Sequence, residues 1–596
     1  MGTLHRTNLS IFPTVYLRSF SSAFSVLAIA LSLAACQPEP PKIVRPSPLP
    51  QDEQIQVYMN QNLAASYTEP YRNQTRNGDN LEQVLIDAIT SARSSVEIAV
   101  QELRLPGVAQ ALVNRHQAGI KVRVILENTY SRPYSQFTPD EVTRLPERER
   151  DRYQEARRLI DLNSDEQLSQ DEINQRDALV ILDNAQVPRI DDTADGSAGS
   201  NLMHHKFVVV DGQTVIVSSA NLTTSDVHGD FKSQHSRGNA NNLLKITSPE
   251  LASLFIQEFN VMWGDGPGAN LDSLFGVKKP FQPAQQLTIG TTPVAVQFSP
   301  TSQSMSWEQS SNGLIGRTLD KATQSIQMAL FVFSDQTLVN LLEGVHQRGS
   351  AIQALIDPGF AYRSYSEALD MMGITLAENC KFEANNRPWK SAIATVGVPR
   401  MPPGDLLHHK FGLVDRHTVI TGSHNWTDAA NTGNDETVMV IYNPTVAAHY
   451  QREFERLYTG AILGIPPAVQ KKASKVTQEC QMPLATADQS NQAKRSLSPI
   501  SVAAPKSSKQ RTNNNAPNIA DPPKLTSKPN YSTSGRVNLN TATQLELEQL
   551  PGVGPSLAKK IIAARQSKRF TSLADLDKVP GVGPKLLQKL ENQVEW

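Results

Sequence analysis

Two stretches of the chain carry the same reactive set at the same spacing. His204-His205-Lys206 is followed by four apolar residues and Asp211, and His408-His409-Lys410 by four residues and Asp415. Each set leads into an apolar stretch and a small-residue turn, Ser218-Ser219-Ala220-Asn221 in one case and Gly422-Ser423-His424-Asn425 in the other. Further on, Gly238-Asn239-Ala240-Asn241 aligns with Gly433-Asn434-Asp435-Glu436. On an extended strand, His204 and Lys206 share a face, as do His408 and Lys410. One imidazole can attack phosphorus while another protonates the leaving oxygen. Lysines and asparagine amides can hold the non-bridging oxygens as charge builds on them. The set suits cleavage of a phosphodiester without a metal cofactor.

The elements around these residues are also duplicated. Residues 79–92 read as a helix, 96–100 as an alternating strand, 108–118 as a helix and 122–126 as a strand. The order recurs as helix 314–322, strand 326–333, helix 338–347 and strand 352–356, and the stretch at 117–126 echoes the one at 347–356. Strand, helix, strand predicts βαβ units, so the expected class is α/β: two homologous lobes with mainly parallel sheets. A repeat this long excludes a solenoid. We place the lobes at 57–265 and 291–463, joined through 266–290.

On these residues, roughly 57–463 resembles the phospholipase D superfamily. The resemblance implies one cleft between pseudo-twofold-related lobes, a phosphohistidine intermediate and no cofactor. It implies catalytic roles for His204 and His408, with His204 as nucleophile. Phosphate contacts fall to Lys206, Lys410, Asn221 and Asn425, and support to Ser219, Ser423, Asn239 and Asn434. Asp211 and Asp415 are implied to be mainly structural. The first lobe departs in two places. Ser218 replaces the usual glycine, and Asn241 stands where the family often has a carboxylate that orients a catalytic histidine. Glu436 is present in the second lobe, so the two imidazoles are expected to have unequal support.

An insert at about 129–201 contains a segment, 161–172, that resembles an EF-hand loop. Its candidate calcium ligands are Asp161, Asn163, Asp165, Gln167, Ser169 and Glu172, with Leu168 at the apolar position. Glu166 stands where glycine normally makes the sharp turn. A charged helix at 146–159 precedes it. The alternative is an acidic surface turn.

The last segment repeats itself at a period of 29. Pro551-Gly552-Val553-Gly554-Pro555 returns as Pro580-Gly581-Val582-Gly583-Pro584, each followed by basic and aliphatic residues. Residues 535–596 resemble a tandem helix-hairpin-helix domain of the competence DNA-receptor type. Glycine turns that open helices bring backbone N–H groups to a phosphate. Gly552, Gly554, Gly581 and Gly583, with Lys559, Lys560, Lys585 and Lys589, are the candidate DNA contacts. A protein-interaction hairpin is the alternative.

The termini suggest where the enzyme works. His5, Arg6 and Arg18 precede an apolar run at 23–35, too short to span a bilayer and ending Leu33-Ala34-Ala35-Cys36. This resembles a bacterial lipoprotein signal, with 1–35 removed, Cys36 lipidated and 36–56 a proline-rich tether. Gln37 after the cysteine favours the periplasmic face of the outer membrane. Cys380 and Cys480 either pair there or stay reduced. Segment 464–534 reads as a disordered basic linker. Residues 471–530 hold ten Lys/Arg against three Asp/Glu, and 531–596 hold nine against six, so the tail is near +10 and the body near −11 within a formal total of −1. That asymmetry points to a polyanionic partner.

Three functions fit: a metal-independent DNA phosphodiesterase at the envelope, a phospholipase D acting on membrane phospholipid, or a non-enzymatic DNA-capture lipoprotein. With both motifs in one chain, a monomer is expected.

Overall fold

The computed structural model describes residues 45–480, apart from 198–199, 269, 378–379 and 384. Of 537–596 it describes all but 541, 543–546, 548–549, 551–552, 554 and 592. The apolar leader, Cys36 and most of the linker lie outside the described residues. Among the described residues, no helix is long and apolar enough to cross a membrane.

The first lobe contains β1 (Ile55–Met59), α1 (Leu81–Thr90), β2 (Ser95–Val100), α2 (Pro106–Gln117), β3 (Lys121–Leu126), α3 (Glu147–Ile160), β4 (Arg189–Asp191), β5 (Lys206–Val210), β6 (Thr214–Ser218), α4 (Thr224–Val227), β7 (Asn242–Thr247) and α5 (Pro249–Trp263). The second contains β8 (Gln285–Ile289), β9 (Thr292–Phe298), α6 (Ser311–Leu319), β10 (Ser325–Leu330), α7 (Gln336–Gln347), β11 (Ala351–Ile356), β12 (Val396–Val398), β13 (Lys410–Val414), β14 (Thr418–Gly422), α8 (Asp428–Thr432), β15 (Thr437–Tyr442), α9 (Pro444–Tyr458), β16 (Ile462–Leu463) and α10 (Pro467–Glu479).

One sheet runs β1-β7-β6-β5-β2-β3-β4, and the other β8-β9-β15-β14-β13-β10-β11-β12-β16. The seven strands from β9 to β12 repeat the first sheet's order. The expectation of mainly parallel sheets is corrected. The crossover helices give parallel pairs at β2/β3, β3/β4, β10/β11 and β11/β12. The remaining pairs in both sheets are antiparallel. The motif strands cause this. β5 turns straight into β6 at Asp211-Gly212, and β13 into β14 at Asp415-Arg416, all four residues having positive φ. A turn that short can only join antiparallel neighbours.

One continuous core joins the lobes. It packs Phe255, Phe259 and Met262 of α5 and Tyr450 and Phe454 of α9 against Val209, Val217, Leu413 and Val419 of the two sheets. The opposite sheet faces bury separate cores, beneath α1 and α2 in one lobe and α6 and α7 in the other. Backbone contacts between the lobes are reciprocal. His204 N donates to Asp435 O at 3.0 Å, and His408 N to Ala240 O at 3.1 Å.

Cys380 and Cys480 form a disulfide, their Cα atoms 5.4 Å apart, which ties the end of α10 to the second lobe. The C-terminal module has its own core, including Leu539, Leu557, Ile561, Phe570, Leu576 and Leu590. It is built on α11 (Pro555–Ser567), α12 (Leu573–Leu576) and α13 (Pro584–Leu590).

Candidate active site

Both motif histidines sit just before a sheet strand, and the lysine is that strand's first residue. The backbone stays extended through the middle residue, with Gln101 N donating to His205 O and Phe331 N to His409 O, so each histidine and lysine share a face as expected and the middle histidine points the other way. Lys206 Nζ turns back to donate to His204 O at 2.9 Å and Gln101 Oε1 at 3.3 Å, and Lys410 Nζ donates to His408 O at 2.6 Å. His204, Lys206, His408 and Lys410 are all buried.

The unequal support expected of the two imidazoles is present, and it crosses between the lobes. His204 Nδ1 lies 2.7 Å from Glu436 Oε2, and His408 Nδ1 lies 3.0 Å from Asn241 Oδ1. Each supporting group is held by its own lobe's serine. Ser423 Oγ donates to Glu436 and Ser219 Oγ to Asn241, both at 2.7 Å. Asn434 Nδ2 donates to Glu436 Oε1 at 3.2 Å, and Asn239 Nδ2 to Asp226 Oδ1 at 2.7 Å. With each Nδ1 engaged, Nε2 is the nitrogen left for chemistry. The side-chain oxygens of Asn221 and Asn425 are buried with no hydrogen-bond partner. Ser218 replaces the family glycine at little cost, because its hydroxyl donates to Asn242 O and accepts from Ala220 N.

Asp211 and Asp415 stand at the far ends of the motif strands. Asp211 accepts from the backbone N–H of Arg93, Ser94 and Ser95, and Asp415 from those of Thr323, Gln324 and Ser325. Each closes the start of its lobe's central strand. The middle histidines are fully buried braces. His205 bonds Glu258 and Thr437, and His409 bonds Glu453 and Asn242.

The electrostatics leave the site short of negative charge. Burial and then Lys206 and Lys410 hold the His204 imidazole well below its ordinary value. Burial, Lys410, Lys206 and His204 do the same to His408. Burial lowers Lys206 to about 7 and Lys410 well below the usual lysine range. Burial pushes the Glu436 carboxyl up, against His424, Lys206 and the Ser423 bond. An anion placed between the lysines would reverse these costs.

Sequence reasoning missed Asp226, Gln101 and Phe331. Phe331 sets its ring edge against His408 at 4.8 Å between centroids. It also missed the cavity that α3 walls beside the motif histidines and lysines, none of which lines it. A cavity of about 840 Å³ lies between α3, with Arg148 and Arg152, and a floor that includes Asp226, Asn239 and Leu406. Arg152 anchors that wall through Glu102 at 3.0 Å.

The loop at 161–172 is built as a doubly capped turn. Glu172 Oε2 accepts from Ser169 N and Oγ, and its Oε1 from Leu162 N. Asp161 accepts from Asp165 N and Glu166 N, Asn163 from Asp165 N, and Asp165 from Gln167 N. Glu166 makes the sharp turn at φ 63° without glycine. Oxygens of Asp161, Asn163, Asp165, Ser169 and Glu172, five of the six side chains expected to hold calcium, thus accept from the loop's own N–H groups. Among the described residues, the acidic side chains that converge within ligand reach are Asp195, Asp265 and Asp272.

In the C-terminal module, Gly552 and Gly554 lie outside the described residues, as do the side chains of Lys559 and Lys585. Gly581 has φ +107° and Gly583 caps α13 without a side-chain bond. Lys560 Nζ donates to Pro580 O at 2.8 Å, bracing one hairpin on the other, and Lys589 is exposed.

Comparison with known proteins fits this geometry. Residues 532–595 match the helix-hairpin-helix motif. Mitochondrial cardiolipin hydrolase from Mus musculus is 28% identical over 157 residues, 26% of this chain and 61% of that protein. Phospholipase D from Rickettsia felis is 27% identical over 136 residues, 23% of this chain and 58% of that protein. The chain therefore spans less than two thirds of the length of these curated relatives. Among solved structures, the phospholipase D family member Nuc from Salmonella typhimurium is 26% identical, with TM-score 0.23, covering 29% of this chain and 99% of that one. Phosphatidylserine synthase from Haemophilus influenzae is 14% identical, with TM-score 0.42, covering 72% and 94%. Residues 85–263 and 315–458, one segment in each lobe and together more than half the chain, match the family model described as cardiolipin synthase, PLD-like domain, and the chain belongs to that family.

Proposed function

We propose that the chain is a phosphoric diester hydrolase, and that its substrate is DNA at the cell envelope. The observation that carries the reaction class is the reciprocal pair: two buried imidazoles, each held at Nδ1 by the opposite lobe, beside two buried lysines.

A diester anion enters between Lys206 and Lys410, with Asn221 and Asn425 on its oxygens. His204 Nε2 attacks phosphorus, and the bond to the leaving oxygen breaks as His408 Nε2–H protonates that oxygen. Water then attacks the phosphohistidine. His408 takes its proton, the P–N bond breaks, and His204 is released. Glu436, directly on His204, steadies the ring as it becomes cationic. Nucleophilic attack needs a neutral imidazole, which burial and the lysines favour at His204. The incoming anion offsets the same lysines at His408, so substrate binding charges the proton donor. No step calls on a metal. The reciprocal backbone contacts support a pseudo-twofold arrangement, and both imidazoles come from one chain, which supports a monomer.

DNA is favoured by the matched helix-hairpin-helix motif and the basic tail. A lipid anchor on Cys36, at the periplasmic face of the outer membrane, would hold the enzyme where extracellular DNA arrives. A second reading rests on the relatives named cardiolipin hydrolase and phospholipase D: the substrate is a membrane phospholipid and the tail is a tether. Mature protein assayed in EDTA on plasmid DNA and on cardiolipin or phosphatidylcholine vesicles separates them. Cleavage of DNA, lost in His204→Ala, is the expected result. Turnover of lipid alone would overturn the DNA assignment, and turnover surviving His204→Ala and His408→Ala would overturn the site.

A further inference from the structure

The two half-sites differ by an exchange that sequence alignment at one position does not reveal. Aligning the motif turns sets Asn221-Leu-Thr-Thr-Ser-Asp226 against Asn425-Trp-Thr-Asp-Ala-Ala430. The structure confirms the register. Thr223 caps α4 by accepting from Asp226 N, and Thr427 caps α8 by accepting from Ala430 N. So where the second lobe has Glu436 with Ala430, the first has Asn241 with Asp226. The residue just before the strand loses its charge and one methylene, and a carboxylate appears on the short helix α4.

The contacts show that Asp226 fills the vacated role. Glu436 Oε2 meets an imidazole and a serine hydroxyl, and Asn241 Oδ1 meets the same two groups in the other half-site. Glu436 Oε1 receives Asn434 Nδ2, and Asp226 Oδ1 receives Asn239 Nδ2. Asp226 Oδ1 also receives Asn241 Nδ2 at 3.2 Å and lies 3.5 Å from His408 Nδ1. Asn241 and Asp226 together cover what Glu436 covers alone. The carboxylate is buried, and the charged or titratable groups around His408 are Lys410, Lys206, His204 and Arg148, with the carboxylates Asp226, Glu436 and Asp357 beside Lys410. Of the carboxylates, Asp226 is the one within ion-pair reach of the His408 ring, at 3.5 Å, while Glu436 sits on His204 and Asp357 on Leu407 N.

We infer that Asp226 is the positioning carboxylate of His408, supplying through and beside Asn241 the charge that Glu436 supplies directly to His204. The inference rests on the reading of His408 as proton donor. An adjacent carboxylate favours the imidazolium. A general acid loses activity as pH rises through its own titration, so removing Asp226 moves that basic limb to lower pH.

The test is a set of four variants: Asp226→Asn, Asp226→Ala, Asn241→Glu, and Asp226→Ala with Asn241→Glu. Asp226→Asn keeps the size of the side chain, and should lower kcat about tenfold and move the basic limb down by about one pH unit, with KM little changed. The double variant rebuilds the second lobe's arrangement and should recover activity to within about threefold of wild type, whereas Asn241→Glu alone crowds two carboxylates together. NMR titration of His408 in histidine-labelled protein should show the same downward shift in Asp226→Asn without recourse to turnover. A wild-type His408 titration in Asp226→Asn overturns the inference, as does a double variant no better than Asp226→Ala. Should Asp226→Ala fail to fold, the Asn variant and the titration decide. Absence of diesterase activity in wild type would sink the proposed reaction, while the titration would still judge the carboxylate.

Discussion

Lys206 should be a residue the fold would be more stable without. Its ammonium is buried, and that burial outweighs the opposing pull of Glu436 and Asp226 and brings it to about 7 from an ordinary 10.5. At about 1.4 kcal/mol per pH unit, that difference costs folding about 5 kcal/mol at neutral pH. Lys206→Met removes the cost but also the bonds to His204 O and Gln101 Oε1. Those two losses return about 1–3 kcal/mol, leaving a net gain of about 2–4 kcal/mol. Between pH 7 and 10.5 the unfolded chain carries a proton here that the folded chain lacks. Wild-type stability therefore rises with pH across that window, and the advantage of the variant is greatest near pH 7 and shrinks toward pH 10. Denaturant unfolding at pH 7 and pH 9.5 measures both the gain and its sign. Inorganic phosphate should stabilise wild type more than the variant, and diesterase turnover should vanish in the variant. A Lys206→Met protein less stable than wild type at pH 7, or a gap that widens with pH, would refute the reasoning.

Other consequences are simpler to read. Burial works to raise the Asp211 carboxyl, but the bonds from Ser95, Ser94 and Arg93 hold it below its ordinary value. Asp211→Asn should therefore cost about 2–3 kcal/mol at pH 7, a cost that fades as pH falls through the carboxylate range, with turnover per folded molecule unchanged. Cys480→Ser opens the 100-residue loop closed by the disulfide, and should lower stability by up to about 4.7 kcal/mol without changing turnover. Deleting 536–596 should weaken DNA affinity and flatten its salt dependence while leaving cleavage of a small diester intact, as filter binding across a salt series would show.

Much of the architecture can be read from residue order because the duplication exposes it. The βαβ echoes and the paired His-x-Lys spacing put two α/β lobes and the reactive groups in view. Sheet direction was misread for a physical reason. Apolar periodicity finds strands, but direction follows from the connection, and Asp211-Gly212 and Asp415-Arg416 are too short for a crossover. The pairing of supports was hidden for another reason. Asn241 and Glu436 each serve the other lobe's histidine, and the order of residues within one lobe does not show which histidine they reach. Asp226 lies on a four-residue helix with no motif of its own, and only its position beside Asn241 reveals it.

On the proposed mechanism, the unequal supports also order the two histidines in time. Glu436 touches His204 at 2.7 Å, whereas the near partner of His408 is the neutral Asn241 at 3.0 Å and the Asp226 carboxylate stands farther off at 3.5 Å. A ring bonded to phosphorus carries a lasting positive charge, and a proton donor carries one only between transfers, so the direct carboxylate belongs with the nucleophile. A diester with a p-nitrophenolate leaving group makes the difference visible, because that group departs without a proton. In His408→Ala the first step then proceeds, while the water step loses its base and slows by about 10²–10⁴-fold. The variant should release about one equivalent of p-nitrophenolate in a burst and hold phosphorus on His204, recoverable as phosphohistidine by mass spectrometry. His204→Ala should give neither burst nor label. Label on His408 in the His204→Ala protein would reverse the roles, and with them the argument from Glu436.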